Sequence, residues 1–245
     1  MAKKKKTDSV IAVCIQELTE DGSSMDLGSI SGDDLRIVHQ AFITDTIRHA
    51  FAVPDVDIRL YFINDAERRR LVNIIREYLQ SRLQGDFEKR FSVHDMKKER
   101  WGLRIEKVFQ SCFDGGYRNV LVLGSRTPTV TPDMMSRALR LLRESDAVFG
   151  PTPEGRYYVI GMSGSYHVKL SAFDWKSPSI YSEVAGTFTE TGLSWSELDI
   201  WYPVESMEEL EMMARDINQF RFEGDEETAH ETELALDHII TKLEP

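Results

Sequence analysis

Two segments of the chain gather residue types that could hold a phosphate. The first is Gly124-Ser-Arg-Thr-Pro-Thr-Val-Thr-Pro132, which offers a glycine, the hydroxyls of Ser125 and Thr127, and the cation Arg126. A guanidinium grips a diphosphate through paired hydrogen bonds. The same letters also describe a plain strand-to-helix loop in which Thr131 caps the next helix and Pro132 begins it. The second segment, Gly150-Pro-Thr-Pro-Glu-Gly-Arg-Tyr-Tyr-Val-Ile-Gly161, brings Glu154, Arg156, Tyr157 and Tyr158. Tyr157 and Tyr158 adjoin each other on a strand and so face opposite ways, one to the core and one to a cleft. Trp175 and Trp201 are large enough to stack on a ligand ring, although interior packing is the commoner use of such side chains. His94-Asp95 has the look of an acid/base pair, but strand neighbours point apart. Ser125 has neither a nucleophile-elbow pattern nor a paired base, so Ser-His-Asp hydrolysis is not supported.

These residues need a scaffold, and the hydrophobic pattern supplies one. Val10–Ile15 and Asn119–Gly124 are continuous apolar runs, as expected of strands buried on both faces. Asp57–Ile63, Phe87–Val93, Ala147–Gly150 and Tyr157–Gly161 read as further strands, with a short one near Leu198–Trp201. Helical spacing recurs from Leu35 to Ile47 behind an Asp33-Asp34 cap. It returns from Asp65 to about Leu83, from Gly102 to Phe113, from Pro132 to near Glu144, after Pro178, from Ser206, and from Leu234 to Leu243. Strands alternating with helices predict a three-layer α/β/α sandwich around a mostly parallel sheet. The expected organisation is a basic tail over residues 1–8, an α/β domain over 9–220, and an acidic break and helix over 221–245. In such a sheet a ligand lies beyond the carboxyl ends of the strands, where the Gly124–Pro132 loop begins.

The 245 residues carry a formal net charge of -11. A surface of that sign repels nucleic-acid backbones and anionic membranes, which leaves a small phosphorylated ligand as the expected partner and allows a homo-oligomer. Two cysteines, Cys14 and Cys112, fit a reduced, cytoplasmic protein and cannot alone make a structural zinc site. No apolar run approaches the ~20 residues of a membrane helix, and Lys3–Lys6 precede too short an apolar stretch for a signal peptide.

Taken in order, the pieces resemble a bacterial family of nucleotide-diphospho-sugar transferases related to the molybdenum-cofactor guanylyltransferases, which includes glycosyltransferases placed in arsenosugar biosynthesis. That family pairs Gly-Ser-Asp-x-Pro-x-Leu-x-Pro with Gly-Pro-x-x-Asp-Gly-Gly-Tyr-Tyr-Leu-Ile-Gly. Trp101-Gly-Leu-Arg104 is similar to its Leu-Gly-x-Arg helix start, and Trp175-Lys-Ser-Pro-Ser-Ile180 to its Trp-Ser-Thr-x-x-Val. Trp201-Tyr-Pro-Val-Glu-Ser206 is similar to its Asp-Val-Asp-Thr closing motif. The resemblance implies a glycosyltransferase-A type fold, a nucleotide-sugar ligand and a divalent metal.

The departures bear on that metal. Arg126 stands where the family has an Asp, Pro203 and Glu205 where it has the Asp pair, and Glu154 and Arg156 where it has Asp and Gly. The first loop, Gln16–Ser24, is acidic where the family supplies cations. A hard divalent ion needs clustered carboxylate oxygens, and a guanidinium cannot share its place. The expectation is therefore no metal site and no cofactor, with Arg126 either gripping a diphosphate or paired to Glu205 or Glu154. Ser125, Arg126, Thr127, Glu154, Arg156, Tyr158, Trp175 and Glu205 are the substrate-binding candidates, with Arg104 as a further cation. Two functions remain open: a metal-independent nucleotide-sugar transferase, and a non-catalytic relative kept as a binding or assembly module.

Overall fold

The structure, a computed structural model, describes residues 7–15, 19–20, 23–63, 68–82, 87–164 and 168–243. The acidic stretch at 16–18 and 21–22, and Asp65 at the expected start of a helix, lie outside the described residues.

The sheet is built outward from β1 (Ser9–Cys14), where Val10 through Cys14 are all fully buried. Their unbroken apolar character follows from cover on both faces. Parallel neighbours β4 (Val56–Ile63) and β6 (Asn119–Gly124) flank β1, and β5 (Phe91–Met96) extends the sheet beyond β4. On the other side β8 (Tyr157–Ser163) lies antiparallel to both β6 and β7 (Ala147–Pro151), and β9 (Trp195–Glu197) runs parallel to β7. The order is β5-β4-β1-β6-β8-β7-β9, a mixed, mostly parallel sheet of seven strands. A small hairpin of β2 (Thr19–Glu20) and β3 (Ser23–Ser24) stands apart from it.

One face of the sheet packs on α1 (Gly32–Ala52), α2 (Arg68–Arg82) and α4 (Pro132–Leu141), through Ile43, Ile47, Ile75 and Leu139. The other packs on α3 (Trp101–Asp114) and α5 (Ile180–Glu190), through Phe109, Val184 and Phe188. Cys14 and Cys112 lie in this second core and form no disulfide. A third cluster joins α1 to α6 (Met207–Phe222) and α7 (His230–Leu243) around Phe42, Val204, Met213 and Ile239. No described helix is long and apolar enough to cross a membrane.

Three local expectations are corrected. Ser31, not Asp33-Asp34, occupies the N-cap of α1, and the two aspartates sit in its first turn, where they favour the helix dipole. Phe87–Val93 is not one strand: a 3-10 turn covers Phe87–Lys89 and β5 begins at Phe91. The cause is Arg90, whose guanidinium donates to the carbonyls of Phe51, Val53 and Val56 at 3.2, 2.7 and 2.8 Å and so turns the chain inward at the end of α1. The late strand falls at Trp195–Glu197 rather than Leu198–Trp201, where only the amides of Leu198 and Trp201 still reach β7, at the carbonyls of Phe149 and Pro151.

The last helix is held by a buried acid. Asp45 of α1 is fully buried and accepts the backbone N–H of Glu231 at 3.2 Å and of Thr232 at 2.8 Å, capping α7 from another helix. Burial pushes its carboxyl up to about 6, against the opposing hydrogen bonds from Thr232. Asp45→Ala leaves those amides unsatisfied and is expected to cost about 1–3 kcal/mol in urea unfolding. The accompanying rise in hydrogen exchange should concentrate at the start of α7, and Asp45→Asn, which keeps an acceptor, should cost less.

Candidate functional site

The strand order reverses between β1 and β6, and a cleft of about 1060 Å³ opens at the carboxyl ends of the strands there. This is the place where open α/β sheets receive ligands. Because β8 runs against its neighbours, its first residues Tyr157 and Tyr158 reach the same end and line the cleft. They face opposite sides of the sheet: Tyr158 joins the core under α4 and donates its hydroxyl to the Asp199 carbonyl, while Tyr157 joins the core under α5 and donates to the Tyr181 carbonyl. Burial raises the proton affinity of both phenols, so they serve as neutral donors and ring surfaces.

The loop that follows β6 differs from an open phosphate cradle. Ser125 and Arg126 are fully buried, and of the three residues Ser125 to Thr127 only Thr127 lines the cleft. Thr127 spends its hydroxyl on the Gly124 carbonyl at 3.0 Å. From one side α1 holds this loop: His39 Nε2 lies 3.4 Å from Ser125 Oγ, and His49 Nδ1 lies 3.0 Å from the Val130 carbonyl. From the other side the chain before α6 holds it: Val204 N donates to the Arg126 carbonyl at 2.8 Å, and Arg126 Nη1 reaches Glu205 Oε1 at 2.8 Å. Thr131 caps α4 by accepting from Met134 N at 3.3 Å, with Pro132 following. Arg126 is thus fully buried behind the cleft lining, its guanidinium paired to Glu205 of that lining.

His39 is the base that no sequence signal placed beside Ser125, since the two lie far apart in the chain. Burial, followed by the Arg126 charge, pushes its pKa down to about 3. A neutral, buried imidazole with so low a proton affinity is a poor general base. The Ser125–His39 contact is therefore part of the clamp on the loop.

The residues present do not fit the divalent ion that the family resemblance implies. Glu205 directs a carboxylate oxygen at the guanidinium of Arg126, and Pro203, which also lines the cleft, offers no ligand oxygen on its side chain. Glu154 is exposed on the turn between β7 and β8. Among the described residues no three His, Cys, Asp or Glu side chains converge as a metal site.

The opposite wall is aromatic and basic. Trp175 donates its indole N–H to the Leu170 carbonyl at 2.9 Å and lies 6.0 Å from Tyr157, ring to ring. Its plane rests against Gly102, where an added Cβ would come within 2.2 Å of Trp175 Nε1 and 2.6 Å of the Leu170 carbonyl oxygen. Arg104 is buried over the Trp101 ring at 4.9 Å. Arg156 is exposed at the rim, its backbone N–H fixed by Thr152 Oγ1 at 3.1 Å. Lys98, Arg100, Trp101 and Lys176 also line the cleft. They were missed from sequence because Lys97-Lys98-Glu99-Arg100 reads as a solvated charge run before a helix. Trp201, in contrast, packs on Tyr202 at 5.3 Å and does not line the cleft.

The chain belongs to the family described as an uncharacterized protein conserved in bacteria (DUF2064), whose model matches residues 46–177. Its fold is that of the nucleotide-diphospho-sugar transferases. A Desulfovibrio desulfuricans G20 protein assigned as a nucleotide-diphospho-sugar transferase superposes with a TM-score of 0.73 at 21% identity, covering 96% of this chain and 98% of that one. A 4-diphosphocytidyl-2C-methyl-D-erythritol synthase from Anaerococcus prevotii DSM 20548 superposes with a TM-score of 0.52 at 13% identity, covering 86% and 96%. No curated protein matches the sequence.

Two outcomes follow from the site. His39 and His49 are held neutral, at about 3 and about 4, below the ordinary 6.5 of an unfolded chain. Their contribution to stability is present above pH 6.5 and is lost as pH falls, because the unfolded state takes up protons first. His39→Gln should therefore flatten the stability curve between about pH 6 and 5 by about 1.4 kcal/mol per pH unit, one proton's worth, in urea titrations. Gly102→Ala must push Trp175 or the Leu170 carbonyl aside, at a cost of about 1–3 kcal/mol with a shifted tryptophan emission maximum.

Proposed function

We propose that this protein is a divergent nucleotide-sugar transferase-like protein that works without a divalent ion at the switch-point cleft. The observation that carries the reading is the ion pair between fully buried Arg126 and Glu205 at 2.8 Å, which puts a fixed cation on the carboxylate a metal would need. The cleft itself, about 1060 Å³, has room for a nucleotide diphosphate and a second ligand. Thr127, Glu154, Arg156, Tyr158 and Trp175 line it and are the side chains assigned to substrate; Glu205 lines it too but is paired to Arg126, and Ser125 and Arg126 shape it from behind. One observation favours a second reading as a non-catalytic binding module: the loop after β6 withdraws Ser125 and Arg126 from the ligand side.

A thermal-shift series with uridine, guanosine and cytidine diphosphates and their sugar conjugates, with and without Mn²⁺, separates the readings. The transferase reading expects at least one nucleotide to stabilise the protein, by about 2.7 kcal/mol at a hundredfold excess over Kd, with no further gain from Mn²⁺. Stabilisation that requires Mn²⁺ and disappears in Glu205→Ala would refute the metal-free site. No nucleotide-dependent shift leaves the binding-module reading. Glu205→Ala should itself cost about 3–5 kcal/mol, since it removes the carboxylate paired to a buried guanidinium, whereas the paired Arg126→Met, Glu205→Leu replacement should be close to neutral.

A further inference from the structure

Most of the carboxylates that line the cleft are drawn into internal contacts. Glu205 is taken by Arg126, and Glu209 Oε2 accepts the amides of Glu205 and Ser206 at 2.8 and 2.7 Å. Glu99 pairs with Lys107 at 2.5 Å. Asp26 and Asp174 each accept a backbone N–H two residues on, from Gly28 and Lys176, at 3.0 Å. These carboxylates are engaged in holding the fold, while Glu154, exposed two residues before Arg156, lines the cleft as well. On the facing wall Arg100 and Arg156 are exposed to the cleft and make no ion pair among the described residues.

Those cations share the cleft lining with a pair of aromatic rings, to which they are close in the chain. Arg100 precedes Trp101 and Gly102; Gly102 lies against Trp175; Trp175 precedes Lys176 and lies 6.0 Å from Tyr157; and Tyr157 follows Arg156. The polar handles of the floor point elsewhere, the Trp175 N–H to Leu170 and the Tyr157 hydroxyl to Tyr181. What remains for a ligand is the apolar surface of two rings inclined at 48°, with exposed guanidinium groups on neighbouring residues of the cleft lining. Apolar ring faces stack on such a floor, and guanidinium forks match phosphoryl oxygens.

We propose that this wall is a second subsite that takes a phosphorylated ring compound, with the ring on Trp175 and Tyr157 and the phosphoryl group on Arg100 and Arg156. The subsite deepens the transferase reading by naming the chemical class of its acceptor, and it rests on that reading only for the word acceptor. The test is a fluorescence titration of the full chain at low ionic strength with glucose 6-phosphate, glucose and inorganic phosphate. Glucose 6-phosphate is expected to give a saturable change in tryptophan emission that weakens as salt is added. Glucose should give none, and inorganic phosphate should bind at least several-fold more weakly than the sugar phosphate. Arg100→Ala and Arg156→Ala, both exposed positions, should each raise the dissociation constant about tenfold with unchanged thermal stability, through loss of a charge-assisted contact. The subsite is refuted by equal binding of glucose, by phosphate binding as tightly as the sugar phosphate, by arginine variants that bind unchanged, or by no saturation up to about 10 mM. Failure of nucleotides to bind while glucose 6-phosphate does removes the transferase reading and leaves the subsite standing; the converse removes the subsite alone.

Discussion

The Arg126–Glu205 pair is the contact on which the ligand end of this protein depends. It joins the loop after the central strand β6 to the segment that starts α6, two parts of the chain that nothing in the sheet ladder connects. A guanidinium removed from water is costly, and its partner must come close to offset that cost. The 2.8 Å approach, with Val204 N on the Arg126 carbonyl at the same distance, meets the requirement. Glu205 is presented in turn by the capping box of α6, in which Ser206 and Glu209 exchange hydrogen bonds. A carboxylate held this way has one oxygen, Oε1, committed to the guanidinium.

The same pair explains why the loop is closed. With Arg126 drawn inward, His39 and His49 can approach from α1 and Trp201 from the far side, and each spends a ring nitrogen on the loop. Each imidazole stays neutral at a buried site beside a cation, so the clamp ties the protein's acid stability to the shape of its cleft. Stability and site geometry are one problem here, which is common where a loop carries the ligand side of a rigid sheet.

Charge is also distributed unevenly. The chain is acidic overall, at -11, yet one wall of its cleft presents Arg100 and Arg156 above rings whose own polar atoms are satisfied. Exposed guanidinium groups inside an acidic surface offer a small anion a local partner while the exterior repels polyanions.

What the amino-acid sequence determined was the frame and the chemical peculiarity of the site. Continuous apolar runs at Val10–Ile15 and Asn119–Gly124 can be stable only as strands covered on both faces, and they became the centre of the sheet. Pro132 behind Thr131, and Ser206 ahead of Glu209, wrote the starts of α4 and α6, because capping is settled within four residues. An arginine in a place expected to carry a carboxylate announced an ion pair, and Glu205 was one of two partners named for it. Only the tertiary structure chose between Glu205 and Glu154, buried Arg126 rather than offering it to a ligand, brought His39 to Ser125, and set Arg100 and Lys176 on the cleft wall. Those outcomes depend on which distant segments meet, and no local spacing encodes them. The turn at Arg90 shows the same limit, since its guanidinium can fix the chain ahead of β5 only when three carbonyls, from α1, its C-cap and β4, arrive to receive it.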